Sequence, residues 1–390
     1  MMGSSSSPAE GDITVLSLHV YPVKSCRGIS VTKAAVGPYG FELDRFWMLA
    51  EPPASPGAPL RMVTQRTHPK LALISTALLL SDSAKPTTAI PPAALASGGS
   101  LILSAPGMST DLQIPFIPSA ASSLPILTAE LHHGETIKCR DEGSHAAEWL
   151  ETFLGFRVRL LRKDTDTVRE LDPLHTPARE LFESEPQTAL ADGYPFLILS
   201  DASVADLNVR LAARGAPAVT LHNFRPNIFI SSPTPYFEET FFTVAMSSHE
   251  IFVNSRCVRC VLPNNDPQTG VPHKKEPLAT LMTYRRVDAG AKWTPCLGVN
   301  ATHRDAGWVL HVGDVVSVTC SGDFHHRDGV WRGGRAPVPV ASGGDKDSDG
   351  ATPADVTPPP AVSALVRVSP IVYSVVALAV VVAARLLMAS

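Results

Sequence analysis

Short runs of alternating or β-branched residues, each closed by a turn signal, recur as far as residue 320 and commit this chain to a mainly β architecture. A run of about four to eight such residues suffices for a strand, and the Gly, Pro, Asn and Asp between runs exclude long helices. "DITVLSLHVYPVK" alternates; "RFWMLAE", "RMVTQRTHPKLALISTALLL" and "SLILSAPG" read as further strands of a β-rich first part. "FRVRLL", "NIFIS", "TFFTVAMSSHEIFVN", "TLMTYRRV" and "HVGDVVSVTC" continue the pattern. Many short strands separated by turns favour a barrel or sandwich with a few helices attached.

Two segments carry a helical period instead. "SHAAEWLETFLG" places Trp149, Leu150 and Phe153 on one face, with Ser144 as candidate N-cap and Gly155 where a C′ glycine belongs. "DASVADLNVRLAARG" follows an apolar strand, with Ser200 as N-cap and Val204, Leu207 and Leu211 on one face. The stretch 81–100, "SDSAKPTTAIPPAALASGGS", is low in complexity and reads as a disordered loop between two strands.

Beyond Trp331 the strand pattern stops. Residues 333–363 are rich in Pro, Gly, Ser and Asp and read as a flexible linker with a reach of roughly 30 Å. Residues 368–384 contain no charge and lie between Arg367 and Arg385. As a helix they measure about 26 Å, close to the ~30 Å hydrocarbon core of a bilayer. Residues 366–388 are therefore expected to be a C-terminal transmembrane anchor. "MMGSSSSPAEGD" has neither a basic nor an apolar run, so no secretory or transit peptide is read there, and the folded part is expected to face the cytosol.

With 33 basic and 37 acidic residues and a net charge of −4, the chain gives no electrostatic reason to expect nucleic acid as a partner. Six scattered cysteines in 390 residues do not make a secreted disulfide scaffold. No P-loop, Gly-x-Gly-x-x-Gly, Gly-x-Ser-x-Gly or His-Glu-x-x-His is present. Chemistry must be sought at "NSRCVRCVLPNNDPQTG", where Cys257 and Cys260 form a Cys-x-x-Cys.

Four readings of that pair stand side by side. A zinc site needs four ligands, and only His273 or His249 is near in sequence. A redox disulfide would open a helix, which Val261-Leu262-Pro263 does not. The cysteines are otherwise inert core residues, or one of them is a working thiolate favoured by Arg256 and Arg259. A metal that brings its own organic dithiolene needs one protein sulfur, plus cations for a phosphate. Lys24 and Ser25 in "YPVKSCRG", Arg45 in "ELDRFWM" and Arg225 in "NFRPNI" offer such groups.

"YPVKSCRG", "GFELDRFWMLAE", "MVTQRTHPKLALIS", "DGYPFLILSDASVADLN", "NFRPNI", "RCVRCVLPNNDPQTG" and "KKEPLATL" occur in an order that resembles the MOSC-domain proteins, above all their amidoxime-reducing group. The resemblance implies an α+β, mainly β fold: a MOSC N-terminal β-rich domain over 12–140 packed with a MOSC β-barrel domain over 141–330. It implies a molybdenum cofactor with the metal on Cys260. Lys24, Ser25, Arg45, Arg225 and Arg259 match positions that hold the pterin and its phosphate, and Asn300 falls near a further contact. Asp266 matches an acidic residue beside the metal, with a catalytic proton relay as one role and a simple Asp-Pro turn former as the other. The implied activity is reduction of small N-hydroxylated compounds, with electrons from NADH through NADH–cytochrome b5 reductase and cytochrome b5. The short span with basic flanks, rather than the resemblance, places the mitochondrial outer membrane ahead of the endoplasmic reticulum. A sulfur-carrying, sulfurase-like role or a non-catalytic cofactor carrier are the alternatives; no pyridoxal-phosphate domain of the kind that precedes MOSC domains in sulfurases is visible.

Overall fold

Long-range strand pairing, rather than strand order, organises this molecule. The computed structural model describes residues 12–322, apart from residue 54 and residues 119–123. The expected linker at 333–363 and anchor at 366–388 lie outside the described residues. No helix among the described residues is long and apolar enough to cross a membrane.

The largest sheet has eight strands, in the order Ile29–Val31, Val15–Val20, Ile228–Ile230, Phe196–Ser200, Cys296–His303, His249–Val258, Phe241–Met246 and Val316–Ser321. Its first two strands come from the N-terminal part of the chain. Val15–Val20 pairs antiparallel with Ile228–Ile230, so the start of the chain is built into the C-terminal sheet. Phe196–Ser200 and Ile228–Ile230 run parallel and therefore need a crossover. The helix Asp201–Ala213 supplies it, with Val204, Leu207 and Leu211 packed against Leu199, Phe224, Leu281 and Leu297.

Ile126–Glu130, Thr136–Asp141, Arg159–Lys163, Trp47–Glu51 and Leu60–Met62 form a closed barrel. A parallel contact between Leu60–Met62 and Ile126–Glu130 seals it. Closure was expected in the C-terminal half; the structure puts it in the N-terminal half. The barrel also runs through Arg159–Lys163, past the expected boundary at residue 140. Sequence periodicity reports that a strand exists, whereas closure depends on which distant strand it meets, and alternation does not encode that.

Three local expectations also change. Residues 81–100 are not a disordered loop: Ala89–Ile90 pairs with Lys33–Gly37, and Ile90 and Ala94 are fully buried. These two side chains, with Leu95 packed beside them, anchor a stretch of low complexity. "TLMTYRRV" is not a strand but part of the helix Leu278–Tyr284. Glu276 accepts the Thr280 N–H at 2.9 Å, and Leu281 packs on the helix Asp201–Ala213, so tertiary contact overrides the β-branched threonines. At the helix Ser144–Leu154 the N-cap is Gly143, held by the Asp141 carboxylate at 3.1 Å, not Ser144. Gly155 does close that helix in the left-handed region, and Ser200 caps the other helix by accepting the Ser203 N–H.

Candidate functional site

Three tight backbone turns at the end of the large sheet aim polar side chains into one cleft. Val15–Val20 ends before Pro22, and the chain turns through Ser25 at φ +68°. Backbone bonds from Lys24 N to Trp47 O (2.7 Å) and from Arg45 N to Tyr21 O (2.8 Å) tie this turn to the next, where Arg45 has φ +46°. Arg225 closes the short helix Leu221–Phe224 at φ +59°, and Pro226 keeps the helix from continuing. Non-glycine residues rarely adopt positive φ, and where they do the surrounding structure has to enforce it. Three expected site residues do so here. The strand His249–Val258 ends just before Arg259 and Cys260 and delivers both to the cleft.

The cleft encloses about 150 Å³. Lys24, Ser25, Arg45, Arg225, Arg259, Cys260 and Asn300 all line it, although the first and last are 276 positions apart in sequence. Asp266 does not. It is exposed, and its carboxylate accepts the backbone N–H groups of Gln268 (2.7 Å) and Thr269 (3.2 Å). The turn-former reading of Asp266 is the one the structure supports, and the expected proton relay through it is withdrawn.

Two residues that sequence reasoning missed complete the Cys260 end of the cleft. Arg66 donates from Nε to the Cys260 sulfur at 3.1 Å and from Nη2 to Asp192 at 2.7 Å. Asp192 also pairs with Lys24 and lies 3.4 Å from His132. Arg66 lies in the polar break "TQRTHP" inside an apolar run, and Asp192 begins the turn "DGYP". Those breaks are the only sequence signal, since the two partners are 126 residues apart. The arginines nearest Cys260 in sequence look elsewhere. Arg256 pairs with Glu239 at 2.9 Å. Arg259 donates to the carbonyls of Leu297 (2.8 Å) and Phe224 (3.2 Å). Gly298, at φ +71°, sits against the neighbouring strand, where a Cβ would meet Ile198 O at 2.7 Å.

The charges are graded along the cleft. Burial draws the Lys24 ammonium down to about 8, against the pull of Asp192. For Asp192, enclosure works against the charge, but Lys24, His132 and Arg66 outweigh it and hold the carboxyl well below the usual range. Half of the Asp192 side chain is open to water. At the far end Arg45 pairs with Asp44 and donates to Asn227 Oδ1 at 2.8 Å. Arg225 has only the Cys26 carbonyl (2.6 Å) and the Tyr21 ring (4.3 Å) as close partners, and no carboxylate lies within ion-pair distance among the described residues. Burial, reinforced by Arg45, brings its guanidinium down to about 10.

No three His, Cys, Asp or Glu side chains converge as a metal site among the described residues. His273 Nδ1 accepts the Glu276 N–H at 2.8 Å, and His249 stacks on Trp308 and pairs with Asp305. Neither histidine is drawn to Cys257 and Cys260.

Residues 12–157 match the MOSC N-terminal beta barrel domain, and residues 185–317 match the MOSC domain. The chain belongs to the MOSC-domain family. It is 37% identical to mitochondrial amidoxime-reducing component 1 of Mus musculus over 279 residues, 70% of this chain and 72% of the relative. It is 32% identical to mitochondrial amidoxime reducing component 2 of Homo sapiens over 320 residues, 78% and 82% of the two chains. In this MOSC protein the cleft fits a cofactor that brings its own sulfur ligands and an anionic tail. Cys257 and Cys260 both line the cavity, with Cys260 held by Arg66, and the Arg225 guanidinium lines it without a carboxylate within ion-pair distance among the described residues.

Proposed function

We propose that this MOSC protein binds a molybdenum–pterin cofactor in the cleft and reduces small N-hydroxylated compounds. The observation that carries the reading is the convergence of Cys260 with Lys24, Ser25, Arg45 and Arg225 on one cavity. Cys260 would be the metal's single protein ligand. Lys24, Ser25, Arg45 and Arg225 would hold the pterin and phosphate, with Asn300 and Arg259 completing the wall. When bound, such a group supplies two-electron chemistry that takes an oxygen atom from an N–OH substrate.

The protein's own part is positioning and proton supply. The Arg66 Nε–H aimed at the Cys260 sulfur fixes the side chain that a metal would bind, and Asp192 fixes Arg66 in turn. Reduction of an amidoxime to an amidine consumes two electrons and two protons and releases water, so a proton source is required. Lys24 Nζ, drawn down to about 8, gives up a proton near neutral pH more readily than a surface lysine does. It takes the place first given to Asp266. Electrons would arrive from NADH through cytochrome b5 reductase and cytochrome b5.

Metal analysis of protein made in a host that synthesises the cofactor tests the proposal. Near-stoichiometric molybdenum in the wild type, lost in Cys260→Ser, is the expected result. Turnover of an amidoxime with NADH, cytochrome b5 and its reductase then separates an enzyme from a cofactor carrier. Zinc or no metal in the wild type overturns the proposal, and sulfane sulfur on Cys260 without molybdenum points to sulfur handling instead.

A further inference from the structure

A second cavity, of about 230 Å³, shares the Arg225 wall with the cleft. Arg27, His222 and Arg225 line it, and no Asp or Glu does. Arg27 donates from Nη2 to Pro267 O at 2.8 Å, and no carboxylate lies within ion-pair distance of it among the described residues. His222 stands at the rim, where partial enclosure first and then the charges of Arg27 and Arg225 push its imidazole below the usual range. A cavity walled by two guanidiniums and no acid is electrostatically incomplete.

The remaining walls are rigid. Gln65 Nε2 donates to Ser25 O at 2.6 Å, and Asn265 Nδ2 donates to Gln65 O at 2.8 Å. Both amides are buried and fixed by backbone carbonyls, so the two arginines face a preformed space. His222 and Gln268 are exposed, which leaves the cavity open to water on that side.

We propose that this cavity is a phosphate-binding subsite in which Arg27 acts beside Arg225. Planar guanidiniums bind phosphate oxygens in pairs of parallel hydrogen bonds, and the positions that the MOSC resemblance assigns to the cofactor do not include Arg27. The phosphate has two possible sources: the tail of a cofactor bound in the cleft, reaching past Arg225, or inorganic phosphate entering beside His222. The subsite stands on its own side chains; only the first source rests on the proposed function.

The test is calorimetric titration of inorganic phosphate into the full chain at constant ionic strength, in cofactor-free and molybdenum-loaded forms. Cofactor-free protein is expected to bind one phosphate saturably, and Arg27→Ala to weaken it at least tenfold. Gln268→Glu changes an exposed side chain and sets a carboxylate at the rim. It is expected to weaken binding several-fold at an unchanged melting temperature, which covers the case in which Arg27→Ala misfolds. Loss of phosphate binding on loading identifies the cofactor tail as the source; equal binding in both forms identifies a separate phosphate. Absence of saturable binding to cofactor-free protein, or an unchanged affinity in folded Arg27→Ala, overturns the subsite. A chain that takes up no molybdenum but still binds phosphate through Arg27 keeps the subsite and removes the proposed function.

Discussion

Arg162 in the barrel and Arg225 in the cleft are both largely withdrawn from water, yet their surroundings are opposite. Arg162 donates to both carboxylate oxygens of Glu142 (2.6 and 3.2 Å) and to the carbonyls of Phe116 (2.6 Å) and Pro115 (2.7 Å). Glu142 also accepts the Trp47 indole N–H at 2.6 Å. Arg225 has one carbonyl and one aromatic ring. Where a carboxylate and two carbonyls take four of the five donors, a buried charge is part of the scaffold. Where a guanidinium is desolvated without a carboxylate, the fold carries a cost that only a bound anion offsets. The two arginines thus divide the molecule into a structural region and a binding region. The Cys260 end of the cleft lies between these extremes, since Lys24 and Arg66 are paired but share one half-exposed carboxylate.

The strongest challenge to this division is Arg162→Ala. Side-chain exposures of 7% for Arg162 and 4% for Glu142 place the pair in the interior. Removing one partner leaves a buried carboxylate with the Trp47 N–H alone, and breaking such pairs costs about 3–5 kcal/mol. Urea unfolding of the variant should show a loss of that order. A loss under about 1 kcal/mol would mean that Glu142 is solvated, and the structural side of the comparison would fall.

Lys24 sharpens the intermediate case through pH. Its folded value of about 8 lies below the ordinary 10.5, because burial outweighs Asp192. Between these values the unfolded chain holds a proton that the folded chain has released, so stability rises with pH across this window. At and below pH 8 the fold bears the full cost of the buried ammonium. The rise amounts to at most about 3 kcal/mol, and Lys24→Met should remove it. Unfolding midpoints of both proteins, measured between pH 8 and 10.5, check the sign. A wild-type slope of the opposite sign would show that Asp192 dominates and that the ammonium is a satisfied structural charge.

How much of this was legible in sequence follows from how local each signal is. The helix Asp201–Ala213 was readable from Ser200 and the spacing of Val204, Leu207 and Leu211, because cap and apolar face lie within a few turns. The residues around Cys260 left four readings open, and only the order of the MOSC-like motifs singled it out together with Lys24, Ser25, Arg45 and Arg225, which the structure brings to the same cleft. Arg66 and Asp192 were not readable as a pair. Each looks like an ordinary loop charge, and only the pairing of Val15–Val20 with Ile228–Ile230 and the barrel's closure bring their loops together. Arg259 does reach the cleft with Cys260, but its hydrogen bonds go to the carbonyls of Leu297 and Phe224, and Arg256 pairs with Glu239. The stretch 81–100 misled because composition averages over the few residues, Ile90 and Ala94, that anchor it.

The smallest expected change in stability, and the most discriminating, belongs to Arg225→Met. Methionine keeps an unbranched apolar stem against the Tyr21 ring and removes the buried charge and its repulsion from Arg45. It also loses the hydrogen bond to Cys26 O, worth about 1 kcal/mol, while relief of desolvation acts in the opposite direction. The variant should therefore unfold within about 1 kcal/mol of wild type, while retaining at least tenfold less molybdenum after gel filtration, about 1.4 kcal/mol of lost affinity. Arg162→Ala reverses both readouts, with lowered stability and no direct effect on the cleft. If Arg225→Met were as unstable as Arg162→Ala, Arg225 would be part of the scaffold, and the graded charge of the cleft would reflect folding rather than an anion it is built to receive.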